Sequence, residues 1–138
     1  MFIKMHRSWT LITLLIFLVS TIGCGSGSRE VKMVDSDNGG QVELRKGELL
    51  TVTLESNPST GYAWEVSQTD ETILMQKGKV EFLQVTQPEG LVGAGGTETF
   101  RFEAVGVGHV SLTLIYHRSW EENVEPIQTY TLEVVVNE

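Results

Sequence analysis

The chain has 138 residues, with 10 Lys+Arg against 18 Asp+Glu, three histidines and one cysteine. Its formal charge of −8 argues against nucleic acid as a partner and against docking flat on anionic lipid, because both need a basic face. A single cysteine rules out an internal disulfide, and the length suits one domain.

Residues 1–23 read as a targeting signal. Lys4, His6 and Arg7 form a basic start, and Trp9 to Val19 carry no charge. That apolar stretch is short for a membrane span and has the flanks of a signal peptide. Thr21-Ile22-Gly23-Cys24 resembles a bacterial lipobox, with Thr21 where leucine is commonest. The expectation is cleavage before Cys24, acylation of that cysteine, and a flexible spacer through Gly25-Ser26-Gly27-Ser28. A plain secretory signal with an incidental cysteine is the alternative. With the lipid, residues 24–30 become a tether and residues 31–138 the folded domain. The domain then sits in the bacterial cell envelope, on the periplasmic or extracellular face, touching membrane through its anchor alone. The processed chain keeps eight Lys/Arg and eighteen Asp/Glu, a formal charge of −10.

Past the spacer, short alternating runs succeed one another with turn residues between them. Val31 to Val34 and Gln41 to Leu44 are two short strands, separated by Asp35-Ser36-Asp37-Asn38-Gly39-Gly40. Leu49 to Glu55 places Leu50, Val52 and Leu54 on one face, and Tyr62 to Val66 alternates likewise. Thr69 to Met75 is the one candidate for helix, a single turn before a strand. Val80 to Thr86 follows, with Val80, Phe82 and Gln84 on one side and Leu83 and Val85 on the other. Thr97 to Val105 turns Phe100, Phe102 and Ala104 inward. His109 to Tyr116 and Ile127 to Val136 complete the set, with Pro126 near the start of the last. Period-two alternation marks half-buried strands. Seven or eight of them predict an all-β, two-sheet antiparallel sandwich, with Trp64 in its core.

Three loops between these strands carry the functional signal. In Asn57-Pro58-Ser59-Thr60-Gly61-Tyr62, Pro58 fixes φ, Asn57 can bond back to the local backbone, and Gly61 can take a positive φ. Such a loop loses little entropy on docking. Gly93-Ala94-Gly95-Gly96 and Tyr116-His117-Arg118-Ser119-Trp120 follow in order. The trio resembles the chagasin-type inhibitors of papain-like cysteine peptidases. That family carries N-P-[ST]-T-G-[YF], G-x-G-G and R-P-W loops on a small immunoglobulin-like sandwich. The likeness extends over about Val31 to Glu138. It departs at Ser119, where the family usually has proline.

The resemblance implies that all three loops share one rim and together plug a peptidase cleft. Asn57, Pro58, Ser59, Thr60, Gly61 and Tyr62 would enter its centre, with Thr60 nearest the catalytic cysteine and histidine. Gly93, Ala94, Gly95 and Gly96 would lie along one flank. Arg118, Ser119 and Trp120 would supply the anchor, Trp120 as the hot spot and Arg118 pairing with a carboxylate or aromatic ring of the enzyme. The partners implied are papain-like cysteine peptidases, bound reversibly by a monomer without cofactor or metal. An envelope-anchored immunoglobulin-like module binding another protein or a glycan is the alternative, and a structural lipoprotein a second.

An enzyme is not expected. His109 reads as a solvated residue at a strand start, and His117 as a surface neighbour of Arg118. Ser59 and Ser119 have no base that sequence can identify. The chain lacks HExxH, a Cys/His cluster, a P-loop and a GxGxxG opening a helix.

Overall fold

Nine strands form among the described residues, which in this computed structural model are 27–85 and 95–138. The signal, the lipobox, Gly93 and Ala94 lie outside them. The strands are β1 (Glu30–Val34), β2 (Gly40–Arg45), β3 (Leu49–Ser56), β4 (Ala63–Gln68), β5 (Leu74–Gln76), β6 (Glu81–Gln84), β7 (Gly96–Ala104), β8 (Gly108–His117) and β9 (Gln128–Asn137). One sheet runs β1-β3-β7, and β5 and β6 share the remaining edge of β7. The other runs β2-β9-β8-β4. The inner faces meet in a single core of leucine, valine and aromatic side chains, from Leu50, Phe100 and Phe102 on one side to Leu112, Tyr130 and Leu132 on the other. Burying each such side chain is worth about 1.5–3 kcal/mol. Trp64 sits in this core as expected, with its indole N–H donating to the carbonyl of Glu55 at 2.9 Å.

The sandwich is not purely antiparallel, and it has more than eight strands. β1 lies parallel to β3, and β2 parallel to β9. The chain changes sheets after β1 and again after β2, so each of these short strands returns beside a neighbour running its own way. Alternation has the same period in either direction, so the sequence pattern could not separate the two cases. The additional strand is β5. Between Thr69 and Met75 the chain makes one turn, in which the amides of Ile73 and Leu74 donate to the carbonyl of Asp70 at 3.0 and 2.8 Å. The Thr72 hydroxyl and amide also bind the Asp70 carboxylate and hold its pKa below the usual value. β5 then begins at Leu74, inside the stretch read as helical.

Pairing register defines the two ends of the sandwich. At one end Ser56 faces Gly96, Gln84 faces Gly96 from the other side, Ala63 faces His117 and Tyr116 faces Gln128. Every described approach to the three loops leaves from this rim. At the far end Glu30 pairs with Leu49 and Leu49 with Glu103, so β1 enters the fold at the pole opposite the loops. With seven steps from Leu49 to Ser56, the poles lie about 23 Å apart at the usual strand rise.

Candidate functional site

The Asn57–Tyr62 loop is a closed turn. Pro58–Thr60 forms one turn of 3-10 helix with proline at its first position, and Gly61 ends it at φ 80°, ψ −3°. A left-handed residue of this kind is normally glycine because a side chain would strain the backbone. The amide and hydroxyl of Thr60 both donate to the Asn57 carbonyl, at 3.1 and 2.6 Å, and the Gly61 amide donates to the Pro58 carbonyl at 2.9 Å. The Ser59 hydroxyl donates to Asn57 Oδ1 at 2.5 Å. Both tip hydroxyls are therefore spent on the loop itself while Pro58, Ser59 and Thr60 stay exposed. The tip presents a rigid knuckle.

The Arg118–Trp120 loop is folded onto that knuckle. Arg118 Nε donates to the Thr60 carbonyl at 3.1 Å, and Nη1 lies 3.2 Å from Glu121 Oε1. The guanidinium carbon stands 4.4 Å from the centroid of the Tyr62 ring, a cation–π contact. Sequence reasoning reserved Arg118 for the enzyme; in the free protein it instead braces two loops against each other. Trp120 packs its ring so closely on Gly61 that a Cβ there would overlap it, yet the residue remains 65% exposed. A bond from the Glu121 amide to the Arg118 carbonyl, 3.1 Å, closes a turn with Ser119 at its second position. Beneath, Tyr116 stacks on Trp64 at 5.0 Å between centroids and lies 5.5 Å from Tyr62. Its hydroxyl accepts the Asn57 amide at 2.8 Å. His117 pairs with Glu65 at 2.6 Å, and Glu121 is taken by Arg118.

Of the glycine loop, Gly95 and Gly96 are described. Gly96 opens β7 against the Phe82 ring and the Leu83 carbonyl, leaving no room for a side chain. Its lack of bulk thus serves strand packing within the molecule as well as any approach from outside. Gly95 sits over the Ser56 carbonyl. Between the loops opens a hollow of about 660 Å3, lined by Thr60, Tyr62, Val85, Gly95, Tyr116, Arg118 and Ile127 among others. Structure thus brings the described parts of all three motifs onto one rim. It also adds members that sequence reasoning missed: Val85 and Ile127, both half exposed, and the Tyr116 hydroxyl, with Glu98 buried beneath the first loop on Ser56 and Trp64. Glu98 carried a readable signal, since it shares parity with the inward Phe100 and Phe102.

Among the described residues no group of three or more His, Cys, Asp or Glu could hold a metal ion. His117 is bound to Glu65 at 2.6 Å and not to a serine.

Residues 43–134 match the family described as chagasin family peptidase inhibitor I42. The chain is 31% identical over 107 residues to chagasin of Trypanosoma cruzi, covering 77% of this chain and 97% of that one. It is 26% identical over 104 residues to amoebiasin-2 of Entamoeba histolytica, 75% of this chain and 83% of the relative. The crystal structure of the E. histolytica cysteine protease inhibitor EhICP2 superposes with a TM-score of 0.72 at 24% identity, over 82% of this chain and all of that one.

Proposed function

Because the chain belongs to the chagasin family of peptidase inhibitors, we propose that it inhibits papain-like cysteine peptidases reversibly by plugging the active-site cleft with its three-loop rim. It is an inhibitor and not an enzyme. The observation that carries the mode of binding is the bracing of Thr60, Gly61 and Tyr62 by Arg118 and Trp120, which makes two loops one preformed wedge. Preformed shape saves the ordering cost that a flexible loop would meet on binding. The contact set comprises Asn57, Pro58, Ser59, Thr60, Gly61, Tyr62, Gly93, Ala94, Gly95, Gly96, Arg118, Ser119 and Trp120.

Resistance to cleavage follows from the knuckle. A peptidase of this class attacks a peptide carbonyl held extended in its cleft, and a near-attack geometry requires the reacting atoms about 3–3.5 Å apart and aligned. At the tip the Asn57 and Pro58 carbonyls are turned inward as acceptors of the turn's own hydrogen bonds. Straightening the segment for attack would break those bonds together with the Arg118 brace. Occupancy without turnover is the result.

Titrating papain with the chain lacking residues 1–24 tests the reading. Tight, competitive and reversible loss of peptidase activity is expected; no inhibition up to micromolar concentration would sink it and point to a different protein or glycan ligand. Thr60→Ala removes the hydroxyl's bond to the Asn57 carbonyl, the longer 3.5 Å one it accepts from the Tyr62 amide, and one contact side chain. At about 1 kcal/mol for the shorter bond, inhibition should weaken roughly fivefold or more with the fold intact.

Ser119→Pro should act in the opposite direction. Ser119 is exposed and occupies the second position of the Arg118–Glu121 turn, where proline is favoured. Fixing φ there lowers the entropy of the unfolded and unbound loop by about 0.4–1 kcal/mol. A two- to fivefold lower inhibition constant is expected, together with a small rise in Tm. Weaker inhibition would show that the bound loop needs a φ that proline forbids.

Lipid attachment at Cys24 completes the proposal, with the domain a monomer held to the cell envelope by its acyl chains and its spacer. Support comes from the entry of β1 at the pole opposite the rim. A tether joined there leaves the loops facing away from the membrane, toward a soluble peptidase.

A further inference from the structure

Glu98 is the one acidic residue among the described residues that is buried, at 6% exposure. It lies on the inner face of β7, between Leu54 of β3 and Phe82 of β6. One carboxylate oxygen accepts the hydroxyl of Ser56, and the other accepts the backbone N–H of Trp64 at 3.1 Å. Ser56 is the last residue before the Asn57–Tyr62 loop, and Trp64 follows it by two residues. The two belong to different sheets. A single side chain therefore holds both stalks of the loop and ties the sheets together where it emerges. The indole N–H of Trp64 adds a parallel tie to Glu55.

This is a costly way to fill a core position. A buried carboxylate loses its hydration, and no cation pairs with Glu98 among the described residues, so only its hydrogen bonds offset that loss. An apolar side chain of similar size would serve packing at lower cost. What it could not do is accept from both stalks at once. The bonds made by Glu98 fix the separation and angle of the strands that carry the knuckle, and thereby the direction in which Thr60 points.

Resting on the inhibitory reading of the rim, we infer that Glu98 is a positioning residue for the inhibitory loop, a buried carboxylate clasp that holds the loop in its binding shape without touching the peptidase. Glutamine in its place would keep the length and one acceptor, and its amide could donate to the Ser56 hydroxyl oxygen. Methionine keeps the bulk and has no comparable acceptor.

The experiment compares the full-length parent, Glu98→Met, Glu98→Gln and Ser56→Ala. Association rate and inhibition constant with papain are read beside amide hydrogen exchange at Thr60, Gly61 and Trp64, with Phe102 and Leu112 as core references. Glu98→Met should raise the inhibition constant 10- to 100-fold, mainly through slower association, and speed exchange at the three loop amides by at least tenfold. The core references should move far less. Ser56→Ala, which cuts one arm, should raise the constant roughly three- to tenfold. Glu98→Gln should return it to within about threefold of the parent. Parental inhibition by folded Glu98→Met overturns the inference, as does faster exchange spread evenly over loop and core. If Glu98→Met does not fold, parental association and loop exchange in Ser56→Ala overturn it instead. A parent that fails to inhibit papain defeats the inhibitory reading, whereas the loop exchange still decides the clasp.

Discussion

Trp120→Ala should raise the inhibition constant toward papain by roughly 30- to 1000-fold, about 2–4 kcal/mol, with little change in Tm. In the free protein Trp120 is 65% exposed, so it contributes little to the fold beyond packing on Gly61. The exposed fraction of a tryptophan is about 130 Å2 of the ~200 Å2 that the side chain can bury. At 25 cal/mol per Å2, covering it with a partner is worth about 3 kcal/mol, the range that interface tryptophans show on truncation. No core lies within reach: the ring has the glycine knuckle on one side and the charged Glu121 and Glu122 following it in the chain. A large apolar ring held outside by its own backbone turn and by Gly61 is placed for a partner. The measurement is a tight-binding titration of variant and parent beside their melting curves. An unchanged inhibition constant would remove Trp120 from the interface, and a fall in Tm matching the fall in affinity would make its role internal.

What the sequence disclosed and what it concealed divide along physical lines. Strands such as β7 and β9 were legible because Phe100, Phe102 and Ala104 alternate with polar residues, as do Tyr130, Leu132 and Val134, and these side chains are buried as that alternation requires. The knuckle was legible because proline and glycine restrict φ in opposite senses at fixed places. Strand direction was not, since alternation is blind to it. β5 was hidden because three residues are too few to display a period. Glu98 was passed over for a different reason: its parity with Phe100 and Phe102 pointed inward, but charge argues for the surface, and only the donors of Ser56 and Trp64, brought from two sheets, make burial tolerable. Arg118 illustrates the same limit. Its motif placed it on the rim, but whether a guanidinium reaches outward or inward depends on Thr60, Tyr62 and Glu121 arriving at hydrogen-bonding or ring distance, which no local pattern encodes.

Gly61→Ala should be the more damaging change, raising the inhibition constant at least 100-fold, about 3 kcal/mol or more. Two costs combine. The residue sits at φ 80°, and an L side chain in the left-handed region costs roughly 1–2 kcal/mol. Its Cβ would also overlap the Trp120 ring, so the knuckle and the anchor cannot both keep their places. The first cost is local to the turn, whereas the second exists only while the tryptophan is present. A double-mutant cycle separates them. In a Trp120→Ala background the overlap with the ring is gone, and Gly61→Ala should then cost mainly the backbone strain, a factor of about 5 to 30. The difference between the two backgrounds, upwards of about 1 kcal/mol, measures how far the knuckle and the tryptophan act as one surface. Equal costs in both backgrounds would mean that each loop meets the peptidase independently, and the wedge would reduce to two separate contacts on a common scaffold.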